Sequence, residues 1–125
     1  MKKSLIICIV IVLLIVLGDT ILQRYVNNKF YNITEKLNEI GDNYENHEEN
    51  LRNIHELNEI LNSSYQIMAC YLEHNELEKV KTQLIIMEAA AKVDDFDVIY
   101  EETSRTKYII EHINEKQSLK IDNIF

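Results

Sequence analysis

The chain has 125 residues, no proline, two glycines and a formal net charge of −8 from 13 basic and 21 acidic residues. That length holds one small domain, and the scarcity of Gly and Pro disfavours turn-rich all-β folds. The acidity repels nucleic acid and anionic lipid headgroups, which removes nucleic acid from the partners to consider.

Residues 1–3 carry Lys2 and Lys3, a short positive start. An uninterrupted apolar run from Leu5 to Leu17 follows. Alone it is shorter than the roughly 20 residues that cross a bilayer, and it matches the core of a signal peptide. The apolar pattern resumes at Ile21 and Leu22, so a helix over 4–22 reaches spanning length. Its one charge, Asp19, lies near the end, and Arg24 and Tyr25 follow as an interfacial pair. The cleavage candidate, Val16-Leu17-Gly18 before Asp19, lacks the alanines such sites favour. The reading is an uncleaved single-pass anchor carried by Leu5, Ile9, Leu13, Leu17 and Leu22. Lys2 and Lys3 place its N-terminus in the cytoplasm and the body outside the cell membrane. Cleavage would instead release a small secreted helical protein.

From Val26 the apolar positions are Val26, Phe30, Ile33, Leu37, Ile40, Tyr44, His47, Leu51, Ile54, Asn58 and Leu61. The alternating spacing of four and three is a heptad seam. Gly41-Asp42-Asn43 has turn chemistry, but the phase is the same on both sides, so one long helix is predicted through it. Residues 23–43 then form a stalk-like helix. Its Val26, Phe30, Ile33, Leu37 and Ile40 have no evident cover within the chain and read as a self-association seam, either for a homo-oligomer or for a membrane-protein partner. His47 occupies a seam position. Protonation near a reference pKa of about 6.5 would cost packing there, which makes it a candidate pH-sensitive residue.

Residues 44–125 are expected to form a helical bundle. Asn62-Ser63-Ser64 is a weak break, and Tyr65, Met68, Ala69 and Leu72 continue the stripe. Asn75 and Glu78 have capping-box spacing and open the next helix, whose seam is Leu77, Val80, Leu84, Met87 and Ala91. Asp94 or Asp95 caps a last helix bearing Phe96, Ile99, Thr103, Thr106, Ile110 and Ile113. Ile121, Ile124 and Phe125 in the tail read as docked on the bundle. The fold class is all-α: an N-terminal transmembrane helix running into a long heptad helix, then two or three shorter antiparallel helices crossing near +20°.

Catalytic chemistry finds little support. His47 and His55 each precede a Glu, but the second His of a zinc-protease helix is missing. None of His47, His55, His74 and His112 has the Glu three residues before it that di-iron bundles use. Cys70 and His74 share a helical face, yet no Gly-rich loop supplies an oxyanion site, and Cys70 reads as a small buried apolar residue. Cys8 and Cys70 cannot build a disulfide framework. No catalytic, metal or cofactor-binding residues are assigned, no cofactor is expected, and no small-molecule substrate is evident. The composite expectation is a non-catalytic, extracytoplasmic interaction or scaffold module for a membrane partner or for itself. The alternative is a ligand- or pH-sensing bundle that acts through a partner.

Three segments carry a resemblance: Tyr71-Leu72-Glu73-His74-Asn75-Glu76-Leu77, Tyr108-Ile109-Ile110-Glu111-His112-Ile113, and Ser118-Leu119-Lys120-Ile121-Asp122-Asn123-Ile124-Phe125. With the Lys-rich start, the apolar helix and the heptad helix before them, they resemble a family of short proteins from Gram-positive spore-forming bacteria, known only as a domain of unknown function. The resemblance implies a single-pass, extracytoplasmic, all-helical protein and no activity. His74, Glu76 and Asn123 match its recurring positions, where capping or tail docking accounts for them. The family's Trp in the second helix is replaced here, with Tyr65 and Tyr71 in that region.

Overall fold

A computed structural model describes the backbone of residues 1–124 and the side chains of residues 1–117. Four helices account for nearly all of it: α1 (Lys2–Asp42), α2 (His47–Tyr71), α3 (His74–Lys92) and α4 (Phe96–Ile124). Each helix packs on the next, and α4 closes back on α1. The connections are a few residues long, so neighbours run antiparallel and the ring is an up-down-up-down four-helix bundle. Only the upper part of α1, from about Leu22, belongs to it; the apolar first half of α1 projects from the bundle base.

The core follows from apolar spacing of three and four residues on every helix. α1 contributes Val26, Phe30, Ile33, Leu37 and Ile40, all 3% exposed or less. α2 adds Ile54, Leu57, Leu61 and Met68. α3 adds Leu77, Val80, Leu84, Met87 and Ala91, the seam expected from the sequence. On α4 the expected Ile99, Thr103, Thr106, Ile110 and Ile113 are buried and Phe96 packs against the core edge. Each large aliphatic side chain removed from water stabilises the fold by about 1.5–3 kcal/mol.

One long helix from Val26 to Leu61 is not what forms. α1 stops at Asp42, the chain turns through Asn43–Asn46, and α2 runs back along α1. The signal for the break lay in Asn46-His47-Glu48-Glu49. The Asn46 side chain accepts from the Glu49 amide at 3.1 Å, a helix N-cap. The unchanged heptad phase was coincidental. After the turn the buried face is set by Asn50, Asn53, Ile54, Leu57, Leu61, Ser64 and Met68, so Leu57 is inside where Asn58 was expected.

The stalk over 23–43 is likewise corrected. Val26, Phe30, Ile33, Leu37 and Ile40 are covered by the chain's own α2 and α4 and cannot serve as a free self-association seam. Asn62-Ser63-Ser64 leaves α2 unbroken; the Ser63 and Ser64 hydroxyls donate to the Ile60 carbonyl at 3.1 and 2.5 Å, so neither competes for a backbone amide. α3 starts two residues before the expected Asn75 cap, with Glu73 as N-cap residue and no side-chain cap bond. Its Glu78 accepts instead from the Tyr65 hydroxyl at 2.7 Å. Asp95 caps α4 as expected, accepting from the Val98 amide at 3.4 Å, and Asp94 before it takes the left-handed backbone with φ 54°. The expected docking of Ile121, Ile124 and Phe125 lies outside the described residues.

The altered register of α2 makes a direct prediction. Leu57→Ala removes a fully buried side chain and costs about 2–5 kcal/mol of unfolding free energy. Asn58→Ala, at the position the heptad pattern favoured, stays within about 0.5 kcal/mol of the parent. Urea unfolding followed by far-ultraviolet circular dichroism reads both; equal costs would refute the register.

Candidate functional site

The feature with the plainest functional content is the lower half of α1. Its apolar side chains rest on nothing. Leu5, Ile9, Leu13 and Leu17 are 63%, 51%, 58% and 57% exposed, an arrangement water would penalise. The helix over Lys2–Asp42 contains the one segment, among the described residues, long and apolar enough to cross a membrane. Leu22, the fifth anchor residue read from the sequence, differs from the others: it is half-buried at the base of the bundle. Nothing breaks the helix between the two halves. Gly18 has open space around it, and the Thr20 hydroxyl donates to the Val16 carbonyl at 2.9 Å, as helical threonines do.

The base of the bundle therefore begins where the apolar segment ends. Tyr71, at the end of α2, lies there. Burial, and then the nearby Asp19 carboxylate, push its phenol above the ordinary tyrosine range. Lys116 of α4 ties this end to α3, donating to Glu76 at 3.3 Å with Glu73 at 3.9 Å. Glu76, one of the family-resemblance positions, is thus an ion-pair partner rather than a cap. His74 faces Glu78 at 3.7 Å on the outer surface.

The interior carries a second set of polar residues. Asn50, Asn53, Ser64, Glu102, Thr103 and Thr106 are buried. The Thr103 and Thr106 hydroxyls donate to carbonyls of their own helix, Ile99 at 2.6 Å and Glu102 at 2.7 Å. Asn50 donates to the Tyr44 carbonyl at 2.5 Å and so fastens the α1–α2 turn to α2. One Glu102 oxygen accepts from Arg105 at 3.0 Å; its other oxygen and the side-chain oxygens of Asn50 and Asn53 are buried without a partner. These groups lie on α2 and α4 without any acid–base pair or nucleophile–base contact between them. No cluster of three or more His, Cys, Asp or Glu able to hold a metal occurs among the described residues.

His47 is not in a seam. It opens α2 at the far end of the bundle, half-exposed, and its Nδ1 pairs with Asp94 in the α3–α4 turn. The sequence misplaced it because the seam was carried through a turn. Cys70 is exposed rather than buried, since it falls on the outer face of α2. Across the α1–α2 groove Lys36 pairs with Glu56. The contact holds the Glu56 carboxyl below its ordinary range and the Lys36 ammonium above its own.

The family model of DUF4363, a domain of unknown function, matches residues 20–124. The chain belongs to that family. The matched region starts where the exposed apolar run ends and takes in the whole bundle. No curated protein and no solved structure matches the chain.

Two outcomes follow for the surface charges. Glu56 has a depressed folded pKa, so its pairing contributes fully above the carboxylate reference of 4.5 and is lost as pH falls through the lowered value. Lys36 is raised, so its share is complete below 10.5 and lost only as pH rises past the raised value. Both side chains are partly exposed, and the pair is worth less than about 1 kcal/mol. In thermal melts from pH 7 to pH 3, Lys36→Gln loses less stability than the parent. His47→Leu stays within about 1 kcal/mol of the parent at pH 5 and pH 8; a larger gap at either pH would show the His47–Asp94 pair to be a structural lock.

Proposed function

We propose that this DUF4363 protein is a membrane-anchored, non-catalytic interaction module whose bundle stands outside the cell. The observation that carries the reading is the exposed apolar half of α1, joined without a break to the core of a soluble-looking bundle. A bilayer removes that surface from water, and a helix satisfies its own backbone there. Lys2 and Lys3 favour a cytoplasmic N-terminus.

The partner meets the outside of the bundle or the span, because the seam at Val26, Phe30, Ile33, Leu37 and Ile40 is already used. Tyr31, Tyr100 and Tyr108 are 62%, 53% and 69% exposed. Tyrosine is enriched in protein interfaces, where its ring supplies contact area at little entropic cost. They support a membrane-protein partner or a second copy of the chain docking on the outer surface of α1 and α4. The second reading, a secreted bundle freed from a signal peptide, rests on the same apolar run.

Expression of the full chain with a C-terminal tag in a Gram-positive host, followed by fractionation and N-terminal mass spectrometry, separates the two. The anchor reading expects the tag in the membrane fraction on a chain that still contains Lys2 and Lys3. A chain beginning at Asp19 in the medium would sink it.

A further inference from the structure

A polar groove lies between α1 and α4 near the far end of the bundle, with a volume of about 470 Å³. That is within the roughly 300–1,000 Å³ of small-ligand sites. Its floor is Gly41 against Thr103: a Cβ built on Gly41 would meet only the Thr103 methyl, at 3.9 Å. One wall carries Asn38 and Asp42 and the other Tyr100, Ser104 and Lys107. The two charges are opposite, yet among the described residues neither is in an ion pair. Lys107 is half-buried, its stem lying along the groove wall, and no carboxylate pairs with it. Asp42 sits in the last turn of α1, where the helix dipole disfavours an anion. The Asp42 placement does not serve the stability of the fold.

The spacing defines what would satisfy both. Gly41 faces Thr103 and the two helices are antiparallel, so Asp42 lies one residue beyond that level and Lys107 four residues to the other side, about 7–8 Å apart along the helix axes. An extended peptide advances about 3.3–3.6 Å per residue. We propose that this groove binds a short zwitterionic peptide of two or three residues, its ammonium on Asp42 and its carboxylate on Lys107. The Ser104 and Tyr100 hydroxyls and the Asn38 amide offer hydrogen bonds to the peptide groups between. The groove is complete whether or not the apolar segment remains attached, so this assignment stands apart from the anchor reading.

The test is calorimetric titration of the full chain in detergent micelles with Ala-Ala, Ala-Ala-Ala and free alanine. The expected result is saturable binding of the di- or tripeptide, weakened at least tenfold by N-acetylation or C-amidation. Lys107→Gln and Asp42→Asn each weaken it at least tenfold while leaving the thermal unfolding transition in place. Gly41→Leu, which fills the floor without touching a charge, abolishes it. Absence of saturable binding by both peptides overturns the proposal, as does affinity unchanged in both charge variants. Binding of free alanine as tight as the peptides refutes the assigned length.

Discussion

One helix carries two kinds of surface. The first half of α1 is apolar on every side, and the second half is apolar only on the stripe from Val26 to Ile40. The change from a uniform to a one-sided pattern, within a single unbroken helix, decides everything downstream. α2 and α4 pack on that stripe and bury it. α3 then closes the ring by covering what α2 and α4 leave open.

Much of this was legible from residue spacing, and the exceptions share a cause. The faces of α3 and α4 are legible residue by residue, since each is a helix with a single apolar stripe bounded by a turn. The α1–α2 boundary was missed because a heptad seam can continue in phase across a reversal of direction. Periodicity records which face is apolar and says nothing about which way the chain runs. The capping chemistry at Asn46 and Glu49 did contain the answer, and a local hydrogen bond outweighed a pattern eleven positions long. Everything placed relative to the seam then shifted with it: the stalk, the self-association surface, and His47.

The polar interior was the least legible part. Nothing in the spacing distinguishes Asn50 and Asn53, which are buried, from Asn58, which sits at the edge. The burial of Asn50 goes with the α1–α2 turn, whose Tyr44 carbonyl accepts from its amide. Buried polar groups of this kind cost stability unless partnered, and three side-chain oxygens on Asn50, Asn53 and Glu102 lack partners. Slipping α2 by one turn would also part the Asn50 amide from the Tyr44 carbonyl. The candidate groove was invisible for a similar reason, because Asp42 and Lys107 belong to helices far apart in sequence and face each other only once the ring has closed.

The continuity of α1 has a rotational consequence. An α-helix turns about 100° per residue, so the azimuth of every side chain below Leu22 is fixed relative to the bundle above. The face holding Leu5, Ile9 and Leu13 has a set compass bearing with respect to the α1–α4 groove. One residue inserted after Gly18 would swing the whole lower helix by about 100° against the bundle, and seven would restore the bearing to within about 20°. Any surface recognised jointly on the lower helix and on the bundle is thus keyed in angle as well as in height.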